Sequence, residues 1–165
     1  MITEPRLRNQ DMAFDWRLNF TKPPTIAACA YWKSCCRDHA MPDRGDLNPA
    51  EMRTFTQHVG LIEVREETDE SIEYFIRRAG TKWEELFGPM TGRYIHEFLP
   101  PTIESRWRDA FDRVCDAKMP ARVTAKIRFQ QKFWLTAEML IAPLGKQNVS
   151  MLFMTFVASR ASSFR

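Results

Sequence analysis

The sequence predicts an α+β domain, an antiparallel sheet covered by helices on at least one face. Three observations carry that prediction. Apolar residues recur at helical spacing around residues 28–35 and 103–114. They alternate with period two around 72–78 and 122–129. Over 133–142 and again over 151–158 they run almost without interruption, as central strands do. The 165 residues, 44% hydrophobic and 27% charged, have the length and composition of one globular domain.

Taken in order, residues 1–24 read as a polar, irregular segment ending in the stiff spacer Pro23-Pro24. Thr25 offers an N-cap for a helix to about Ala40, stopped before Pro42. Its residues Ala28, Tyr31, Trp32 and Cys35 share one apolar stripe at helical spacing. After the loop from Met41 to Leu47, Asn48 is a cap, Pro49 stands at the first helical position and Glu51 follows the cap by three. They predict a short helix that turns Met52, Phe55 and Val59 inward and ends near Gly60. Leu61 to Val64 reads as a strand. An acidic turn (Glu66, Glu67, Asp69, Glu70) then joins it to Ile72–Arg78, where Ile72, Tyr74 and Ile76 alternate with Glu73, Phe75 and Arg77. The pair is a predicted hairpin.

Gly80 to Pro89 reads as a two-turn helix with a Thr81/Glu84 capping box, a Gly88 stop and a following Pro89. Thr91-Gly92 marks a turn ahead of the apolar Ile95, Phe98 and Leu99. Ile103, Trp107, Ala110, Phe111 and Val114 predict a long helix to about Lys118, closed by Pro120. Val123, Ala125, Ile127 and Phe129 then alternate with Arg122, Thr124, Lys126 and Arg128. Phe133–Ala142 and Met151–Ala158 have the character of central strands, joined by a turn at residues 145–148. The domain therefore spans 25–158, with a short tail at 159–165 and no internal repeat.

Composition excludes several classes. Lys+Arg 24 against Asp+Glu 21 leaves a net charge of +3, and the basic residues are scattered, which argues against a nucleic-acid binder. No run approaches the ~20 apolar residues that span a bilayer, and residues 1–19 lack the apolar core of a signal peptide. The expected location is cytoplasmic, with reduced thiols. Cys29, Cys35, Cys36 and Cys115 include no pair at zinc-site spacing, so no metal is expected.

The order of elements and several local motifs resemble a PAS domain of the stand-alone bacterial PAS_5 family. The resemblance runs through Tyr31-Trp32 and Pro42-x-Arg44-x-Asp46-x-x-Pro49 to Leu61-Ile62-Glu63-Val64. It continues with Arg78-Ala79-Gly80-Thr81, Leu86-Phe87-Gly88, Thr91-Gly92-Arg93 and Glu138 through Leu144, covering about residues 26–158. It implies a five-stranded antiparallel sheet in the order 2-1-5-4-3, with helices on one face walling a pocket and an N-terminal helical extension. It also implies a sensory or adaptor role, binding a small molecule or a partner protein and signalling in trans, without catalysis. A haem-binding member carries a His on the long helix, and residues 102–118 contain none. A photoactive flavin member needs a Cys in an Asn-Cys-Arg-Phe-type segment, which this sequence lacks. Neither cofactor is expected.

The resemblance gathers Trp83, Phe87, Phe98, Trp107, Phe111 and Phe129 around the pocket, with His96 beside them as a donor; the same residues would also serve as plain core. Glu138 interrupts an apolar strand. It either meets a cationic or hydroxylated ligand or points to the open sheet face and pairs with an Arg or Lys. The stripe Ala28, Tyr31, Trp32, Cys35 is a candidate homodimer interface, since aromatics concentrate in interface cores; the alternative is that it folds back onto the chain's own sheet. One alternative is a redox switch or thiol enzyme using Cys35 with His39, four apart on one helix. Another is a ligand-free structural partner. Arg44 and Asp46 read as charges that fasten the loop before the next helix start.

Overall fold

A computed structural model describes residues 12–129 and 133–160, with side chains outside 127–134. Its elements are β1 (Met12–Asp15), α1 (Pro23–Cys36), β2 (Val59–Glu66), β3 (Ile72–Ala79), α2 (Thr81–Phe87), β4 (Arg93–Tyr94), α3 (Ile95–Phe98), α4 (Pro101–Ala117), β5 (Ala121–Phe129), β6 (Phe133–Gly145) and β7 (Val149–Arg160). Three 3-10 turns, Arg44–Asp46, Pro49–Met52 and Thr56–His58, link α1 to β2. All strand pairs are antiparallel, in the order β1-β5-β6-β7-β2-β3-β4.

The α+β class is as read from the sequence, but the sheet has seven strands rather than five, so its full order differs from 2-1-5-4-3; the five long strands β2, β3, β5, β6 and β7 keep that order among themselves. Each edge gains a short strand. β1 pairs Met12–Asp15 with Arg122–Ala125, inside the segment expected to be irregular. β4 pairs only Arg93 and Tyr94 with β3. Strands of four and two residues are too short for period two to rise above a polar background; pairing with a longer neighbour creates them.

A second correction concerns the helices, which lie on both faces. β6 buries Met139 and Ile141 in a cluster with α2, α3 and α4, and buries Leu140, Ala142 and Leu144 in a separate cluster with α1 and the 3-10 turns. A strand apolar on both sides must be covered on both. α1 is that second cover: Ala28, Cys29, Trp32 and Cys35 are buried, and the Trp32 Nε1–H donates to the Pro143 carbonyl at 3.0 Å. The stripe proposed as a dimer interface thus packs on the chain's own sheet, with Tyr31 half-buried at its margin and hydrogen-bonded to Asn48. A twin helix has no access to it.

α1 also starts three residues earlier than expected, with Lys22 rather than Thr25 at the N-cap. Pro23 and Pro24 occupy its first turn, where a missing N–H costs nothing, and it ends at Cys36 because Arg37 takes a positive φ of 53°. The segment after Asn48 forms 3-10 turns rather than one helix. Asn48 still caps it, accepting from the Ala50 N–H at 3.1 Å, and Met52, Phe55 and Val59 point inward.

The capping box of α2 is not formed. Gly80 is its N-cap, and Glu84 reaches forward instead, accepting from the Met90 N–H at 3.0 Å and the Thr91 N–H at 3.3 Å. Those bonds hold its carboxyl below the usual range. Thr81→Ala is therefore expected to change stability by no more than about 0.5 kcal/mol. Glu84→Ala should cost roughly 1–2 kcal/mol by freeing the 88–92 turn. Urea melts of the two variants check the ranking, and equal losses would reinstate the capping box.

Candidate functional site

The space enclosed between α4 and the sheet is the natural place for a ligand. α4 brings Trp107, Ala110, Phe111 and Val114 to one side, as its spacing predicts, and all four are buried. β3 contributes Tyr74 and Ile76, β7 contributes Met154 and Phe156, and α2 inserts Trp83, none of which exposes more than 1% of its surface. The rings meet edge to face: Trp83 lies on Trp107 at 5.9 Å and 89°, and Phe87 on Trp107 at 5.4 Å and 88°. Phe87 meets Phe156 at 5.6 Å, and Trp107 meets Phe111 at 5.8 Å. Such contacts contribute about 0.5–1.5 kcal/mol each beyond the area they bury.

These rings leave little room. A cavity of about 30 Å³ remains, lined by Met12, Ile103, Trp107, Ala110, Met139 and Met154 among others. That holds a water molecule and little more. Ligand clefts usually measure ~300–1,000 Å³. The polar groups of the cluster are turned to protein partners. The Trp83 Nε1–H donates to the His58 carbonyl at 2.7 Å, and the Tyr74 hydroxyl donates to Asp112 Oδ1 at 2.5 Å. Burial, with the Asp112 bond second, pushes the Tyr74 hydroxyl far above its ordinary range, so it stays protonated.

Of the residues proposed for the pocket, Trp83, Phe87, Trp107 and Phe111 come together here. Phe98 packs half-buried at the edge of the same cluster, beneath Arg93 at 5.7 Å. Phe129 lies on β5, and its side chain is outside the described residues. His96 is not in the pocket. Its side chain is 50% exposed, stacked on Tyr94 at 5.4 Å and 4.0 Å from Glu73, because the short α3 turns it to the outside. Phe156 belongs to the cluster and was not singled out; on a strand apolar at nearly every position, no alternation marks which residues face α4.

Glu138 is on the opposite face, away from the aromatic cluster, and is only 3% exposed. Its register neighbours settle this, since Ala137 and Met139 belong to the inner cluster while Leu140 packs under α1. The carboxylate receives the Arg122 Nε–H at 2.8 Å, the Thr21 N–H at 2.9 Å, the Lys22 N–H at 2.9 Å and the Thr25 hydroxyl. Burial alone would raise its pKa. The bonds from Thr25, Thr21, Arg122 and Lys22 outweigh burial and hold the carboxyl down at about 2. Glu138 is thus an ionised anchor for the start of α1, with the neighbouring-strand Arg122 as its charge partner.

The thiol alternative loses its geometry. The helix stops at Cys36, so His39 is exposed in the turn beyond and the one-turn relation to the buried Cys35 does not exist. Burial pushes the Cys115 thiol up to about 11 and raises Cys29 and Cys36 as well, which disfavours their thiolates. Among the described residues, no three His, Cys, Asp or Glu side chains are grouped to hold a metal ion. No helix there is long and apolar enough to cross a membrane.

A family model described as "PAS domain" matches residues 20–156. Among solved structures, an RNA-binding light-oxygen-voltage receptor aligns with a TM-score of 0.45 and 13% identity, over 66% of this chain and 32% of that one. The chain thus spans about a third of that receptor's length. The light-state structure of the blue-light photoreceptor Aureochrome1 LOV aligns with a TM-score of 0.43 and 16% identity, over 67% of this chain and 86% of that one. A search of curated proteins finds no match.

Proposed function

The chain belongs to the PAS domain family, and from that premise we propose that it is a signalling adaptor that responds to a partner protein rather than to a small molecule held inside it. PAS domains are generally sensory or signalling modules. One observation supports the choice between their two modes: the interior is filled by Trp83, Phe87, Trp107, Phe111 and Phe156, leaving about 30 Å³. A cofactor could enter only by displacing several buried rings, and each large side chain displaced forfeits several kcal/mol of packing. The signal then comes from outside. A partner that binds one arrangement of the helices over the sheet more tightly than another shifts the population toward it.

Native mass spectrometry of the purified protein, followed by denaturation, tests this reading. The native mass should equal that of the bare chain or a whole multiple of it. A stoichiometric small molecule released on denaturation would overturn the reading and reopen the interior as a binding site.

A further inference from the structure

Resting on the adaptor reading, we infer that the groove between the 3-10 turns and the β2–β3 edge is a docking site for an acidic peptide segment of the partner protein. The groove has a volume of about 570 Å³. Its floor is apolar, with Leu47, Met52 and Leu61, and three arginines line it: Arg44 from the first 3-10 turn, and Arg77 and Arg78 from β3. No acidic residue lines it among the described residues.

The placement of Arg77 and Arg78 is not what a regular strand provides. Consecutive strand residues point to opposite faces. Here a bulge intervenes: Leu61 pairs with Arg78 and Ile62 with Ile76, so Arg77 is an extra residue without a partner on β2. Ile76 faces the inner cluster, which puts its neighbour Arg77 outside, and Arg78 shares the outer face of Leu61, its cross-strand partner. Bulges re-aim side chains in this way and recur at sheet edges. The result brings two guanidiniums to one face, with a third across the groove.

The arginines are poorly neutralised. Arg44 and Arg78 make no side-chain hydrogen bond or ion pair among the described residues. Arg77 has only Glu63, at 3.8 Å, and Glu63 is already held by Arg65 at 2.7 Å. Planar guanidiniums on an apolar floor suit carboxylates, which they grip through paired N–H donors, together with an apolar side chain between them. On the side away from β2 the 91–92 turn closes on this stretch, with the Gly92 N–H donating to the Ile76 carbonyl at 2.7 Å and the Ala79 N–H to the Thr91 hydroxyl at 3.1 Å, so the peptide is held by the arginines and the apolar floor rather than as an added strand.

Fluorescence anisotropy with the intact chain tests the proposal, using a labelled eight-residue peptide that alternates Glu and Leu. The probe should bind with a micromolar Kd that weakens at least tenfold between 50 mM and 500 mM salt. Arg78→Glu and Arg44→Gln should each raise the Kd, Arg78→Glu by tenfold or more. Arg113→Glu makes the same charge change as Arg78→Glu at the opposite sheet edge, where Arg113 lies over Phe14 at 4.5 Å, and should leave the Kd within twofold. Unchanged melting temperatures would show that the groove variants are folded. Three results would overturn the inference: no saturation below 1 mM, equal losses in Arg113→Glu and Arg78→Glu, or tighter binding of a labelled single-stranded RNA of the same length. A protein that carries no bound molecule yet ignores the peptide would sink the groove alone. One that releases a small molecule but binds the peptide would sink the adaptor reading alone.

Discussion

Glu138→Ala is expected to destabilise the fold by about 3–5 kcal/mol, because it leaves the partly buried Arg122 beside an empty site and strips four donors at the start of α1, the Thr21 N–H and hydroxyl, the Lys22 N–H and the Thr25 hydroxyl, of this acceptor. Arg122 keeps only Asp15 at 3.8 Å, too distant to replace a 2.8 Å bond. The loss carries a pH signature. The carboxyl is held at about 2 in the folded chain against an ordinary 4.5, so its charge favours the folded state. A depressed pKa contributes stability that is fully present above the unfolded value and is lost as pH falls through the folded one. The window is therefore about pH 5 down to 2, and the contribution above it is about 3 kcal/mol. Glu138→Gln, which keeps the shape without the charge, should be far less stable than wild type at pH 7 and much closer to it at pH 3. Urea midpoints at the two pH values decide the matter; a gap that stays constant would mean that charge plays no part in the anchor.

Trp83→Ala should cost a similar 3–5 kcal/mol. The indole is completely buried, set edge to face on Trp107 and tilted against Phe156, and its Nε1–H satisfies the His58 carbonyl. The ring also explains a glycine. A Cβ on Gly60 would stand 2.4–2.8 Å from three indole carbons, so Gly60→Ala must push a ring that has nowhere to go, at a cost of roughly 1–3 kcal/mol. The two effects are coupled through one contact. Once Trp83→Ala has removed the obstacle, Gly60→Ala should cost far less than it does in the wild type, a non-additivity that a double-mutant cycle of denaturant melts reads directly. Additive losses would show that the strand, rather than the indole, rejects the side chain at residue 60.

The sequence by itself determined the α+β class, the long elements and the family. The inward stripe of α4, the Tyr74 and Ile76 face of β3 and the ordered motifs from Tyr31 to Leu144 are all local, and the 3.6 and 2.0 periods are local properties that survive without a fold. The Asn48 cap was legible for the same reason. The faces were not legible wherever a strand is apolar on both sides. Leu135 to Leu144 carries almost no alternation, so the side taken by Glu138, the cover supplied by α1 and the inclusion of Phe156 in the inner cluster depend on which neighbour each strand meets. Thr81 had a capping signature, yet Gly80 took the position and Glu84 found the 88–92 turn, a partner several residues away. The arginine groove lies furthest from the sequence. Arg77 and Arg78 alternate on paper, and only a slipped register against β2 turns both to one face, because cross-strand hydrogen bonding, not the order of residues, sets which way a side chain points.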